Sequence, residues 1–141
     1  MNYDTRRQNI LIAENDRTVS ELIQIRLHVA GYHTTIVRSG PALFDMLKQI
    51  RPSVLVLDLD LPGMSGFEVL ETITPRGGRA PFPVLVMARK LAPEDIQRLV
   101  GLGARDCVVK PFSGAEIVER VARLLRRPGP PGQPARKVVY V

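Results

Sequence analysis

The chain has 141 residues, 45% hydrophobic and 24% charged, with one cysteine, which suits a single domain whose core needs no disulfide and excludes a disordered chain. No apolar run approaches the roughly eighteen residues that a membrane-spanning helix needs, and the opening residues 1–9, MNYDTRRQN, carry no signal-peptide core, so no membrane association and a cytoplasmic location are expected. Of the six net positive charges, four come from Arg126, Arg127, Arg136 and Lys137 near the C-terminus, where no acid offsets them; without aromatics or a base-reading motif they predict a solvated linker rather than a nucleic-acid surface.

Short β-rich apolar runs alternate with amphipathic stretches, the pattern of βα units around a parallel sheet. The first strand is placed at residues 10–13, apolar without alternation as befits a strand covered on both faces. Val19, Leu22, Ile23, Leu27 and Ala30 then recur at helical spacing, with Gly31 as the C-terminal stop. A second strand at residues 33–37 leads to the helix SGPALFDMLKQI, whose apolar face is Leu43, Met46, Leu47 and Ile50 and whose end is set by Pro52. The third strand, residues 54–57, runs into Asp58-Leu59-Asp60-Leu61-Pro62-Gly63, where Pro62 sets a turn. Gly66, near the start of the third helix, is read as giving backbone freedom there.

The loop TPRGGRAPFP precedes a fourth strand at residues 84–87, and Pro93 opens the fourth helix from its first turn. The fifth strand, residues 107–109, ends at Lys110-Pro111-Phe112, and the last helix covers about residues 113–127. Beyond it, residues 128–141 read as a Pro/Gly linker followed by a short β-rich end, Val138 to Val141, suggestive of a further domain not included in this sequence. Cys107 has no His or Cys partner at ligand spacing and is expected to be a small buried core thiol; His28 and His33 lie away from the strand ends.

Open parallel sheets bind ligands beyond the carboxyl ends of their strands. Those ends carry Glu14-Asn15-Asp16, Asp58 and Asp60, Ala88-Arg89-Lys90, and Lys110. Carboxylates from two strand ends and a lysine from another suit a hard cation and a phosphoryl group: oxygen ligands satisfy Mg²⁺, and an ammonium neutralises phosphoryl oxygens.

ILIAEND, VLVLDLDLPGMSGFEVL, PVLVMARK and GARDCVVKPF, in this order over about residues 9–127, resemble the receiver domain of bacterial response regulators. The resemblance implies a doubly wound α/β fold of flavodoxin type, with five parallel strands in the order 2-1-3-4-5, an order for which the chemotaxis receiver is itself an established example. It implies that Asp58 accepts a phosphoryl group from a sensor histidine kinase or phosphotransfer protein, that Lys110 pairs with the phosphoryl oxygens, and that the Lys110–Pro111 bond is cis. Glu14, Asn15, Asp58 and the backbone carbonyl of Asp60 would hold Mg²⁺. Such a domain is a phosphoacceptor rather than an enzyme, with Mg²⁺-dependent self-phosphorylation and dephosphorylation at most. LLRR, the Pro-rich linker and the short strand resemble the junction to a winged-helix DNA-binding domain, implying transcriptional output and DNA contact only through that further domain. A homodimer through the fourth helix, fifth strand and fifth helix is also implied: Asp106, Glu116, Arg120 and Arg127 fit its charge pattern, whereas Ile96 and Arg105 depart from it.

Three positions depart from the family pattern. Asn15 stands where the second acid is usual, Ala88 where a Ser or Thr hydroxyl is usual, and Cys107 where an aromatic switch residue is usual. These departures weaken the expected Mg²⁺ site and the relay, and leave open a receiver that works as a phosphorylation-independent interaction module. Asp58-Leu59-Asp60 also resembles the Asp-x-Asp of haloacid-dehalogenase-type phosphatases, but Ala88-Arg89-Lys90 lacks the further acids those enzymes use after the fourth strand.

Overall fold

A computed structural model describes residues 8–76 and 78–126. In chain order the elements are β1 (Asn9–Ala13), α1 (Arg17–Val29), β2 (His33–Val37), α2 (Gly40–Leu47), β3 (Val54–Asp58), α3 (Gly66–Ile73), β4 (Val84–Ala88), α4 (Pro93–Gly101), β5 (Asp106–Val109) and α5 (Gly114–Leu125). All four strand pairings are parallel, and the sheet order is β2-β1-β3-β4-β5, as the motif order implied.

Side chains alternate across a strand, so each apolar strand supplies both faces. Leu11, Leu55, Leu57, Val84 and Val86 pack with Leu43 of α2, Val69 and Leu70 of α3, and Leu99 of α4. Ile10, Ile12, Val54, Val56, Leu85 and Met87 pack on the other face with Ile23 and Leu27 of α1 and Ile117, Val121 and Leu124 of α5. Every residue of β3 and β4 is buried, which is why these runs read as continuous rather than alternating.

Local polar chemistry fixes the helix starts. Asp16 accepts from the Val19 N–H at 3.1 Å to cap α1, Ser39 accepts from the Ala42 N–H to cap α2, and Ser65 and Glu68 exchange side-chain and backbone hydrogen bonds as a capping box on α3. Pro93 sits in the first turn of α4 as expected. Gly31 follows the end of α1 at φ 100°, the left-handed conformation that a helix stop favours.

Several boundaries and reasons differ from the sequence reading. α2 ends at Leu47 rather than Ile50: the N–H groups of Lys48, Gln49 and Ile50 turn back onto Asp45 and Met46 carbonyls, so the helix is closed before Pro52 could stop it. β3 and β4 each reach one residue further, to Asp58 and Ala88, and β1 and β5 begin one earlier, at Asn9 and Asp106. α5 stops at Leu125, with Arg126 extended at ψ 137°. Residues 127–141, including Arg127 and the linker with its β-rich end, lie outside the described residues. On α1, Leu22 and Ala30 do not join the buried face: Leu22 is 39% exposed and Ala30 is exposed, while Ile23 and Leu27 carry the packing.

Gly66 also has a different reason from the one expected. Its φ is not positive; instead a Cβ there would come within 2.7 Å of Leu59 Cα and 3.2 Å of the Asp58 carbonyl oxygen. The start of α3 is pressed against the backbone that carries Asp58, and only a hydrogen fits between them. Gly66→Ala should therefore destabilise the fold by about 2 kcal/mol, the scale of an overpacked core site, and a urea unfolding midpoint equal to that of the unmodified chain would refute this account.

Candidate functional site

The register between neighbouring strands brings their carboxyl ends to one edge. Ala13 pairs with Leu57, Asp58 with Met87, and Ala88 with Val109, so the residues that follow β1, β4 and β5 stand beside Asp58. They line a cleft of about 790 Å³ that includes Glu14, Asn15, Asp58, Asp60, Arg89 and Lys110.

Within it, Lys110 Nζ lies 2.7 Å from Glu14 Oε1 and 3.2 Å from Asp58 Oδ2. Glu14 is 1% exposed and Asp58 3%. The approach to Asp58 has hydrogen-bond geometry. The one to Glu14 Oε1 is the shorter ion contact, and no other described residue donates to that buried oxygen. The second oxygen of each carboxylate is held by the main chain: Glu14 Oε2 accepts from the Asp16 N–H at 3.0 Å, and Asp58 Oδ1 accepts from the Asp60 N–H at 3.2 Å. The Lys110–Pro111 peptide bond is cis, as the motif resemblance implied.

Burial pushes the Glu14 carboxyl above its usual range; the Lys110 ammonium and the Asp16 N–H oppose this, and the nearby Asp58 charge adds to it. Burial alone would depress Lys110, but its contact with Glu14 and the negative charges of Asp58 and Glu14 outweigh it, so the ammonium is held above its ordinary value. Lys110 therefore stays charged at neutral pH.

Asn15 and Asp60 are exposed in the cleft. Asp16 lines it too, with one of its oxygens capping α1. Among the described residues no three His, Cys, Asp or Glu gather tightly enough to hold a metal ion. Ala88 is 3% exposed and packs with apolar neighbours. Cys107 is half-buried rather than enclosed. Its thiol is pushed up to about 11, first by burial and then by the Asp106 charge, with Arg120 opposing; it is therefore protonated and a poor nucleophile at neutral pH. Asp106 and Arg120 meet within the chain, 2.7 Å apart, and Arg120 also donates to the Cys107 carbonyl at 3.2 Å.

Two features were not assigned a role from the sequence. Arg89 lines the cleft, and its position immediately after a strand was the available signal. Leu22 lines the cleft as well and, with Ile25 at 60% and Val29 at 78% exposure, makes an apolar stripe along the outside of α1. The helical spacing of the stripe was visible, but the side of α1 that faces solvent was not. No helix among the described residues is long and apolar enough to cross a membrane.

Residues 10–122 match the family model described as the response regulator receiver domain. The chain is 34% identical over 124 residues to the DNA-binding response regulator MtrA of Mycolicibacterium smegmatis, a match covering 88% of this chain and 53% of that protein. It thus spans about half the length of the curated relatives it matches. The signal receiver domain of a signal transduction histidine kinase from Syntrophus aciditrophicus superposes with a TM-score of 0.72 at 30% identity, covering 84% of this chain and 89% of that one. The chemotaxis response regulator CheY4 of Vibrio cholerae shares the fold, with a TM-score of 0.77 at 23% identity over 84% of this chain and 99% of that one.

Removing Lys110 tests the electrostatics of the cleft. Lys110→Met leaves two buried carboxylates without their cation, and the expected cost near neutral pH is about 3 kcal/mol, the scale of a broken buried ion pair rather than a surface one. The lysine's folded-state value lies above its unfolded one, so its contribution is full at neutral pH and lost only as the pH rises through the folded value. Without it, Glu14, already raised, is raised further, and a raised acid is most favourable below its unfolded value and loses stability as the pH rises through the folded one. The penalty measured by urea unfolding should therefore shrink as the pH is lowered toward that of an ordinary carboxyl; a penalty that grows on acidification would contradict the pairing.

Proposed function

The chain belongs to the response regulator receiver domain family, and on that premise we propose that Asp58 is the phosphoacceptor of a two-component signalling pathway, supplied by a histidine kinase or phosphotransfer protein. The observation that carries this reading is the 3.2 Å contact between the buried Asp58 carboxylate and the Lys110 ammonium at the mouth of the cleft. A carboxylate oxygen of Asp58 attacks phosphorus, the bond from phosphorus to the donor breaks, and the leaving group departs with the electron pair: the imidazole of a phosphohistidine, which then takes a proton, or acetate from acetyl phosphate. The product is an acyl phosphate on Asp58. Lys110 holds the carboxylate in place beforehand and neutralises phosphoryl oxygens afterwards. The chain acts as the acceptor of this transfer, with self-phosphorylation from small donors as its intrinsic activity.

Receiver domains generally bind Mg²⁺ at this acidic edge, and the oxygen donors here suit a hard cation that keeps part of its water shell. Glu14 Oε1 is buried and met, among the described residues, by the Lys110 ammonium alone, and Asn15, Asp58 and Asp60 line the same cleft. Glu14, Asn15, Asp58 and the Asp60 backbone carbonyl would hold the ion, which when bound neutralises charge on the transferring group. The amide at Asn15 supplies an oxygen but no charge, so the affinity is lower than an acid there would give.

The stripe of Leu22, Ile25 and Val29 begins at the cleft, and it supports docking of the phosphodonor protein along α1, with its phosphohistidine directed at Asp58. The names of relatives such as MtrA support a transcriptional output exerted on DNA by a part of the protein beyond this domain, and a cytoplasmic location accords with that role. Exposed Val100 on α4 and Val109 on β5 support self-association of two copies through α4, β5 and α5. Because Arg120 already pairs with Asp106 of its own chain, this association draws on apolar contact and on exchange of that pair between copies.

Incubation with acetyl phosphate and Mg²⁺ should add the mass of one phosphoryl group, and Asp58→Asn should abolish the gain; folded protein with no gain, or a gain that survives the substitution, refutes the acceptor assignment. Ile25→Glu should leave labelling by acetyl phosphate unchanged while slowing transfer from a phosphorylated kinase, and equal slowing of both would argue against docking on α1. Sedimentation should register a larger dimer fraction after phosphorylation, whereas a monomer in both states would argue against the α4-β5-α5 pairing.

A further inference from the structure

The charges around Asp58 do not by themselves welcome an anion. Lys110 carries one positive charge but is shared between Glu14 and Asp58, so the trio presents a net negative charge to an incoming phosphoryl donor, which is itself an anion. Two aids to anion binding are also weak or missing: Asn15 brings no charge to hold a cation that would screen the trio, and Ala88 has no hydroxyl to donate to a phosphoryl oxygen. The cleft nevertheless holds a second cation. Arg89 follows the last residue of β4, on the strand between the one that ends in Asp58 and the one that leads into Lys110. It is exposed and lines the cleft together with Glu14, Asp16, Asp58 and Asp60. Despite these acids, its guanidinium makes no ion pair or hydrogen bond with any described residue, whereas Lys110 is fully engaged.

We propose that Arg89 is an anion-binding residue of this cleft, which grips the phosphoryl group on its way to Asp58 and after its arrival. The inference rests on the phosphoacceptor reading for the identity of the anion. A guanidinium presents N–H donors in a planar fork that matches two phosphoryl oxygens at once, so it supplies both the hydrogen bond that Ala88 lacks and part of the positive charge that a cation held only weakly beside Asn15 would bring to the phosphoryl group. An exposed arginine with no ion pair or hydrogen bond among the described residues has no such contact there to lose, so its removal acts on anion binding and leaves the fold intact. The transfer is balanced as above: the bond from an Asp58 oxygen to phosphorus forms, the bond from phosphorus to the donor oxygen breaks, and acetate leaves with the electron pair, while Arg89 keeps its proton throughout.

The test follows phosphorylation by acetyl phosphate, read as intact mass, in the unmodified chain, Arg89→Ala and Arg89→Lys, each in Mg²⁺ and in EDTA. Arg89→Ala should slow labelling on the order of tenfold, the loss expected for one charge-assisted contact, and proportionately more in EDTA, where no ion shares the work. Arg89→Lys should fall between the two, because an ammonium keeps the charge and loses the fork. In parallel, inorganic phosphate is titrated into each protein and followed by the backbone amide NMR signals of residues 58–60 and 89. Binding should weaken on the order of tenfold in Arg89→Ala, with unfolding midpoints unchanged. Equal labelling rates and equal phosphate affinity in the unmodified chain and Arg89→Ala, or faster labelling in the variant because the side chain merely obstructs the cleft, would overturn the proposal. If no protein is labelled yet phosphate binding still depends on Arg89, the anion site stands and the acceptor reading falls; if labelling proceeds but ignores Arg89, the reverse holds.

Discussion

The Lys110 ammonium, 2.7 Å from Glu14 and 3.2 Å from Asp58, ties together the carboxyl ends of β1, β3 and β5, which are not all neighbours in the sheet. Two carboxylates that are each almost wholly buried would repel one another and resist desolvation without a cation between them. The pairing therefore carries a desolvation cost, and the surroundings are built to permit it. The apolar runs 10–13, 54–57 and 84–88 of β1, β3 and β4 fix the strand ends in register, and Gly66 lets α3 press onto the Asp58 backbone without a side chain between.

The same contact determines what the site can do next. Lys110 remains charged at neutral pH, so it can pass from holding a carboxylate to holding a phosphoryl oxygen without a change of protonation. The two positions at which the sequence departs from the family's switch pattern carry no group suited to that role. Ala88 is packed among apolar side chains, and Cys107 is a protonated, half-buried thiol whose backbone is fastened through Arg120 and Asp106. A bistable relay requires groups that make different contacts in two states. Among the described residues, the cations that line this cleft are Lys110 and Arg89.

The ten elements and the polar strand ends that gather Glu14, Asp58 and Lys110 were legible because each leaves a periodic or positional trace: continuous apolar runs for covered strands, and polar residues where such runs stop; the sheet order came from the motif resemblance instead. Other features left no such trace. The early end of α2 depends on backbone turns that close before Pro52, the outward side of Leu22 depends on how α1 is rotated over the sheet, and the need for glycine at position 66 arises from a close approach between segments rather than from a dihedral angle. The partner of Asp106 is likewise a matter of packing: its charge pattern fits contact with a second copy, yet Arg120 of the same chain reaches it. Arg89 was visible as a strand-end residue, but that it pairs with none of the described residues could be recognised only once the neighbouring charges had been placed.

The central claim is that a phosphoryl group becomes bonded to the Asp58 carboxylate, and chemical trapping of that bond tests it most directly. Borohydride reduces an acyl phosphate on aspartate to homoserine, so protein treated with acetyl phosphate, reduced and digested should yield homoserine at position 58 in the peptide that spans β3. Homoserine at Asp60, Asp16 or another acid, or its absence from folded and labelled protein, would contradict the account.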